Sequence, residues 1–129
     1  IDGLTITKMY PKTTRSANHL YLLRYDKNKF NGIHRDKFFK AMQAEGVYTY
    51  ASYNPLYRER LFSIDSKEYP WLAGINYKDM NFPVTEKLCM EEAVWLKQNH
   101  LLGTKDDIND IIMAFKKVTT VMKKDPSIF

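Results

Sequence analysis

The sequence predicts an α+β or α/β sandwich, in which helices cover one face of a short sheet. Three short apolar segments, residues 19–25, 47–51 and 93–96, are typical of strands, and segments with helical periodicity lie between and after them. A chain of 129 residues is long enough to bury the core of one domain. We therefore predict a single domain over residues 1–129, with a flexible tail at residues 124–129.

The first strand and helix are predicted from local composition. Residues 19–25 are dense in aromatic and aliphatic side chains, as in a buried strand, and residues 26–32 carry turn chemistry. Residues 35–45 show one apolar helical face, and Gly46 is placed for a left-handed C-terminal cap. The second strand, residues 47–51, follows this cap.

The middle of the chain is less regular. Pro70 and Gly74 interrupt any long pattern between residues 63 and 81. Pro83 suits a first helical turn, so residues 84–91 predict a short helix before the third strand.

The last helix is the clearest element. Thr104 is a predicted N-cap with two aspartates in the first turn, and Pro126 ends the helix. Six apolar residues recur at spacings of three and four, namely Ile108, Ile111, Ile112, Phe115, Val118 and Met122. We expect Ile108, Ile112 and Phe115 to be buried against the sheet. The sheet residues expected beneath them are Leu20, Leu22 and Val94.

Composition disfavours several classes of function. The net charge is +5, but the basic residues are spread along the chain and interleaved with acids, which favours a solvated surface over a nucleic-acid site. No run of about 18 apolar residues is present to cross a membrane, and the first residues are not a secretory signal. Cys89 is the single cysteine, so we expect a small buried hydrophobe in a cytoplasmic protein, with neither disulfide nor zinc.

Catalytic motifs are absent. The sequence has neither a Gly-rich phosphate loop nor a Gly-x-Ser-x-Gly elbow. The three histidines lack metal-ligand spacing, and the paired acidic residues are explained as helix-end charges. Spacing alone therefore indicates a globular domain without a metal or catalytic site.

Four segments extend this interpretation, because their order and spacing match those of a known family. They are a strand at residues 19–24, a helix at residues 35–46, a loop at residues 53–58, and residues 88–96 followed by 101–103. Together they resemble the C-terminal small domain of the DegT/StrS-type aminotransferases. This family depends on pyridoxal phosphate and acts on keto-sugars and keto-cyclitols.

The loop carries the most specific part of the likeness. The family segment Tyr-x-Pro-Leu-His corresponds here to Tyr53-Asn-Pro-Leu-Tyr57, with tyrosine in place of the histidine. The variant that continues into Arg58 is most similar to the cyclitol branch, whose substrates are of the scyllo-inosose type. Ser52 also stands where many relatives carry a histidine.

The resemblance implies a fold-type-I small domain, with a sheet of three to four mainly antiparallel strands. In this family the large N-terminal domain holds pyridoxal phosphate and its Schiff-base lysine, so no catalytic, cofactor or metal residue is expected here. Because the chain begins at Ile1, we expect a piece of a longer parent protein, inactive without its large domain. The parent would be a homodimer that transfers an amino group from glutamate or glutamine to a keto-sugar or keto-cyclitol.

The resemblance also implies a substrate-binding loop. Its candidate residues are Tyr50, Ser52, Tyr53, Tyr57 and Arg58. Their hydroxyls can bond a sugar-like ring, tyrosine rings can stack on it, and a guanidinium can bind an anionic substituent. Packing in the core or at an interface is the alternative for each tyrosine. The alternative for the whole chain is a stand-alone, non-catalytic binding or regulatory module with the same fold.

Five apolar loop residues have no periodicity that would hold them in the domain core. They are Leu56, Leu61, Phe62, Tyr69 and Trp71. We expect them to form an exposed patch where the large domain docks.

Overall fold

The computed structural model describes residues 1–129 as one four-stranded antiparallel sheet with two long helices on one face. The strands are β1 (Leu4–Ile6), β2 (Leu20–Tyr25), β3 (Tyr50–Ala51) and β4 (Ala93–Lys97), in the order β1-β2-β4-β3. The helices are α1 (Arg35–Ala44), α2 (Pro83–Lys87) and α3 (Lys105–Lys124). The predicted α+β class and antiparallel sheet are confirmed. None of these helices combines the length and the apolar composition that a membrane span requires.

The two faces of the sheet differ sharply in burial. Along β2, Leu23 and Tyr25 are buried, whereas Leu22 is 38% exposed. Val94 lies directly opposite Leu23 and is fully buried, so this face meets the helices. The expectation that Leu20 and Leu22 lie beneath α3 is wrong, because side chains two residues apart share a strand face and these two share the uncovered one.

The last helix is confirmed at its start and partly corrected along its face. Thr104 caps it in a reciprocal capping box, in which the Thr104 hydroxyl accepts from the Asp107 amide and the Asp107 carboxylate accepts from the Thr104 amide. Phe115 is buried and packs against Phe38 with ring centroids 5.7 Å apart. Ile108 is only half-buried. Ile112 is 42% exposed, so its predicted burial is wrong.

The burial of α3 has a simple geometric cause. Its buried line runs through Phe115, Val118 and Met122. Ile112 is one residue on from Ile111, about 100° round the helix, and so falls at the edge of the buried arc.

The turn after α1 explains why the second strand is short. Gly46 adopts φ +81°, as predicted for the cap. Its amide donates to the Gln43 carbonyl at 3.0 Å, and the Val47 amide donates to the Met42 carbonyl at 2.9 Å. Since the Val47 amide belongs to this cap, only Tyr50–Ala51 of the predicted residues 47–51 pair as a strand.

The other segments differ from expectation where local signals were weak. The three-residue β1 was not predicted, because it is too short to show an alternating pattern. Pro83 begins α2 as predicted, but Leu88–Glu92 continues the helix as a π-helical turn. Residues 52–82 contain only short 3-10 turns. Pro126–Ile128 forms another, with Phe129 half-buried against the core, while the flexibility of residues 124–129 stays a prediction.

Candidate functional site

The uncovered sheet face carries an aromatic patch formed by Tyr50, Tyr53 and Trp95. Trp95 lies between Leu22 on β2 and Tyr50 on β3, as one row across the three strands. Tyr53, just beyond β3, places its ring edge-on to Trp95 with centroids 4.7 Å apart. The Lys97 ammonium lies 4.2 Å from the centroid of the Tyr50 ring. The patch therefore combines aromatic rings, phenol hydroxyls and one cation on a surface that no helix covers.

Ser52 lies between two residues of this patch in sequence but contacts a different element. Its hydroxyl is 3.7 Å from the Cys89 sulfur, which lies in the π-helical turn. Cys89 is half-buried, whereas a buried side chain was expected. Ser52 thus joins the loop after β3 to the turn before β4.

The π-helical turn is held by Arg35, the first residue of α1, which is 5% exposed. The Arg35 guanidinium donates to the carbonyls of Cys89 at 3.0 Å and Ala93 at 2.9 Å. Burial lowers the pKa of Arg35, and the nearby Asp36 carboxylate opposes this effect. An arginine in the first turn of a helix gives no sequence signal for such a role, and it was not predicted.

Tyr57 and Arg58 meet at one carboxylate on α2. The Tyr57 hydroxyl donates to Oε1 of Glu86, and Nη2 of Arg58 lies 2.7 Å from the same oxygen. The Tyr57 ring is edge-on to Phe82 at 5.1 Å between centroids. Partial burial and the bond to Glu86 raise the pKa of the Tyr57 phenol. This carboxylate fixes the end of the loop.

The five predicted residues therefore fall at three places rather than at one. Tyr50 and Tyr53 belong to the aromatic patch, Ser52 contacts the π-helical turn, and Tyr57 and Arg58 meet at α2. Their role in substrate binding stays a prediction. Sequence reasoning missed three neighbours, namely Glu86, Trp95 and Lys97. They lie far along the chain from the loop, and only strand pairing and folding bring them to it.

The apolar loop residues are largely exposed, as expected. Leu61 and Trp71 are 84% and 75% exposed, and Leu56 and Tyr69 are also exposed. Phe62 is an exception, because its ring packs edge-on against Tyr77 at 5.1 Å and is half-buried. The exposed members form no part of this domain's own core.

The chain belongs to the DegT/DnrJ/EryC1/StrS aminotransferase family, whose sequence model matches residues 1–116. This confirms the resemblance inferred from the loop and its flanking segments, and the family is in general dependent on pyridoxal phosphate.

Several similar proteins are named as aminotransferases of inosose compounds. The chain is 31% identical over 115 residues to the putative L-glutamine:3-amino-2,3-dideoxy-scyllo-inosose aminotransferase of Streptoalloteichus tenebrarius. It is 32% identical over 115 residues to the protein of the same description from Micromonospora echinospora. The L-glutamine:2-deoxy-scyllo-inosose aminotransferase of Micromonospora echinospora is 29% identical over 111 residues. Each match covers 84% of this chain but only 26–28% of the relative, so the chain spans about a quarter of their length.

The lysines of this chain do not fit attachment of pyridoxal phosphate. A lysine that forms a Schiff base needs a lowered pKa, which burial or a neighbouring cation provides. Every lysine here is exposed except Lys27, which is half-buried. The Lys27 ammonium lies 2.7 Å from a Glu91 carboxylate oxygen, so its nitrogen is already engaged in an ion pair.

Proposed function

We propose that this chain is the small, substrate-cleft domain of an aminotransferase that depends on pyridoxal phosphate. The complete protein transfers the amino group of glutamine to a keto-cyclitol, so that the keto group becomes an amine and glutamine becomes the corresponding 2-oxo acid. Family membership over residues 1–116 and the named activities of the relatives support this proposal. The Schiff-base lysine belongs to a large domain outside this chain, which is inactive alone, and the complete protein is a cytoplasmic homodimer.

The loop after β3 provides the wall of the substrate cleft in this proposal. The observation that carries it is the contact of Tyr53 with Trp95 on the uncovered sheet face. Such an aromatic surface can stack on the C–H face of a saturated ring, while the hydroxyls of Tyr50, Ser52 and Tyr53 can bond ring hydroxyls. The loop ends at Tyr57 and Arg58, which complete the five candidate residues.

The exposed surface of the chain supports a missing large domain. A compact monomer of 15.2 kDa exposes about 7,100 Å². This chain exposes 9738 Å², and only 16 of its 129 residues are buried. The apolar residues Leu56, Leu61 and Trp71 contribute to this excess. An interdomain face of roughly 600–1,500 Å² would cover them.

The proposal is tested with the complete polypeptide that contains this chain. The protein is supplied with pyridoxal phosphate, amino-¹⁵N glutamine and 2-deoxy-scyllo-inosose, and the product is analysed by mass spectrometry. We expect ¹⁵N in an amino-cyclitol, and a lower kcat/KM for the keto-cyclitol in Tyr53→Ala. If the folded polypeptide transfers no amino group to any keto-cyclitol or keto-sugar, the proposal fails and a non-catalytic binding module is favoured.

A further inference from the structure

Glu86 connects the end of the substrate loop to α2 through a single oxygen atom. Oε1 accepts the Tyr57 hydroxyl and lies 2.7 Å from Nη2 of Arg58. The Glu86 side chain is 19% exposed, whereas that of Arg58 is 55% exposed. The same turn is closed by the Arg58 amide, which donates to the carbonyl of the buried Pro55 at 2.8 Å. The carboxylate therefore contacts both side chains, and the turn that carries them is also closed by its own backbone bond.

We propose that Glu86 is a positioning residue for the substrate loop, and that Tyr57 and Arg58 fix the loop instead of contacting the substrate. This inference rests on the proposed function and revises the five-residue site. In this revised site the substrate ring contacts Tyr50 and Tyr53, together with the hydroxyl of Ser52.

The chemistry of the two partners supports this division. A phenol has one proton to donate, and that of Tyr57 is directed to Glu86. The Arg58 charge is paired with the same carboxylate. The keto-cyclitols in the names of the relatives carry keto and hydroxyl groups and, in one case, an amino group, but no anionic group that would compete for the guanidinium. Both side chains are therefore already used within the domain.

The position of Tyr53 depends on this anchor. The Tyr53 side chain is largely exposed, and its one aromatic contact is with Trp95. Without Glu86, the turn at residues 55–58 keeps only the contact of the Tyr57 ring with Phe82 at the start of α2, so Tyr53 is held less firmly against Trp95. Loss of the carboxylate thus affects substrate binding through another residue.

A double-mutant cycle in the complete polypeptide separates positioning from direct contact. We expect Glu86→Gln to lower kcat/KM for the keto-cyclitol roughly tenfold, mainly through KM, because a charge-assisted bond is replaced by a neutral one. Tyr57→Phe should lower it less, and the double variant should be no worse than Glu86→Gln. Equal and multiplicative losses would mean that Tyr57 contacts the substrate independently, and would overturn the inference.

The matched control is Glu45→Gln. Glu45 forms an ion pair of the same length, 2.7 Å, with Lys117, and its side chain is 28% exposed. This pair joins α1 to α3, away from the loop. We expect Glu45→Gln to leave kcat/KM unchanged, and an equal loss in both variants would reduce Glu86 to a general contributor to stability.

A spectroscopic measurement on the 129-residue chain tests the contact itself. Tyrosinate absorbance is measured as a function of pH in the unaltered chain, in Glu86→Gln and in Tyr57→Phe. The difference between the curves of the unaltered chain and Tyr57→Phe identifies the contribution of Tyr57. We expect Tyr57 to titrate at lower pH in Glu86→Gln, since the carboxylate no longer opposes loss of the phenol proton. An unchanged Tyr57 titration contradicts the contact, whereas absence of amino transfer by the unaltered polypeptide contradicts the proposed function and with it the substrate role of Glu86.

Discussion

Truncation of Phe115 to alanine tests the packing of α3 against the domain core. The side chain is 5% exposed and contacts Phe38. A Phe→Ala change in such a core costs about 3–5 kcal/mol, because apolar contact is lost and a cavity remains. For 129 residues the entropy of unfolding is about 0.27 kcal/mol per kelvin, so a loss of about 4 kcal/mol lowers Tm by about 15 °C.

The assay is urea unfolding of the chain, followed by circular dichroism and extrapolated to water. Ile112→Ala on the same helix is the matched control, and its 42% exposure predicts a loss below about 1 kcal/mol. The free energies of unfolding should therefore differ clearly between the two variants. Equal losses, or a loss within about 0.5 kcal/mol for Phe115→Ala, would refute the burial assigned to α3.

Two further predictions concern charge and exposed surface. Partial burial would raise the pKa of Glu92, but bonds from Arg24 and Lys87 outweigh it and lower that pKa below 4.5. The ion pairs of Glu92 therefore stabilise the folded chain above pH 4.5, and this stabilisation is lost as the pH falls through the lowered pKa. In Glu92→Gln, the free energy of unfolding should depend less on pH in the acid range. An unchanged pH dependence would contradict these ion pairs. The folded chain should bind a hydrophobic dye or self-associate through its exposed apolar residues. The double variant Leu61→Ser, Trp71→Ser should weaken both dye binding and self-association. A monomeric chain that binds no dye would contradict an uncovered docking face.

Features fixed by adjacent residues were predictable from sequence. The Thr104 cap and the Gly46 turn depend on bonds within a few residues, and both were predicted correctly. The α1 and α3 helices followed from periodicity over many residues. Each of these signals lies within a single element, so the residues that cause the structure are close together in the sequence.

Features fixed by distant partners were not predictable. The face on which Leu22 lies depends on the register of β2 with β4, and a shift of one residue would reverse it. Trp95 and Glu86 reach the loop after β3 only because the sheet and α2 bring them there. The resemblance identified the loop, but it carried no information on which of its side chains are already engaged within the domain.

The position of the cofactor lysine tests the central claim most directly. The complete polypeptide and the 129-residue chain are each incubated with pyridoxal phosphate, reduced with borohydride, digested and analysed by mass spectrometry. We predict one stoichiometric pyridoxyl-lysine in the complete polypeptide, at a position outside residues 1–129, and none in the chain alone. A single stoichiometric label on a lysine within residues 1–129 would contradict a small domain that shapes the substrate cleft without holding the cofactor.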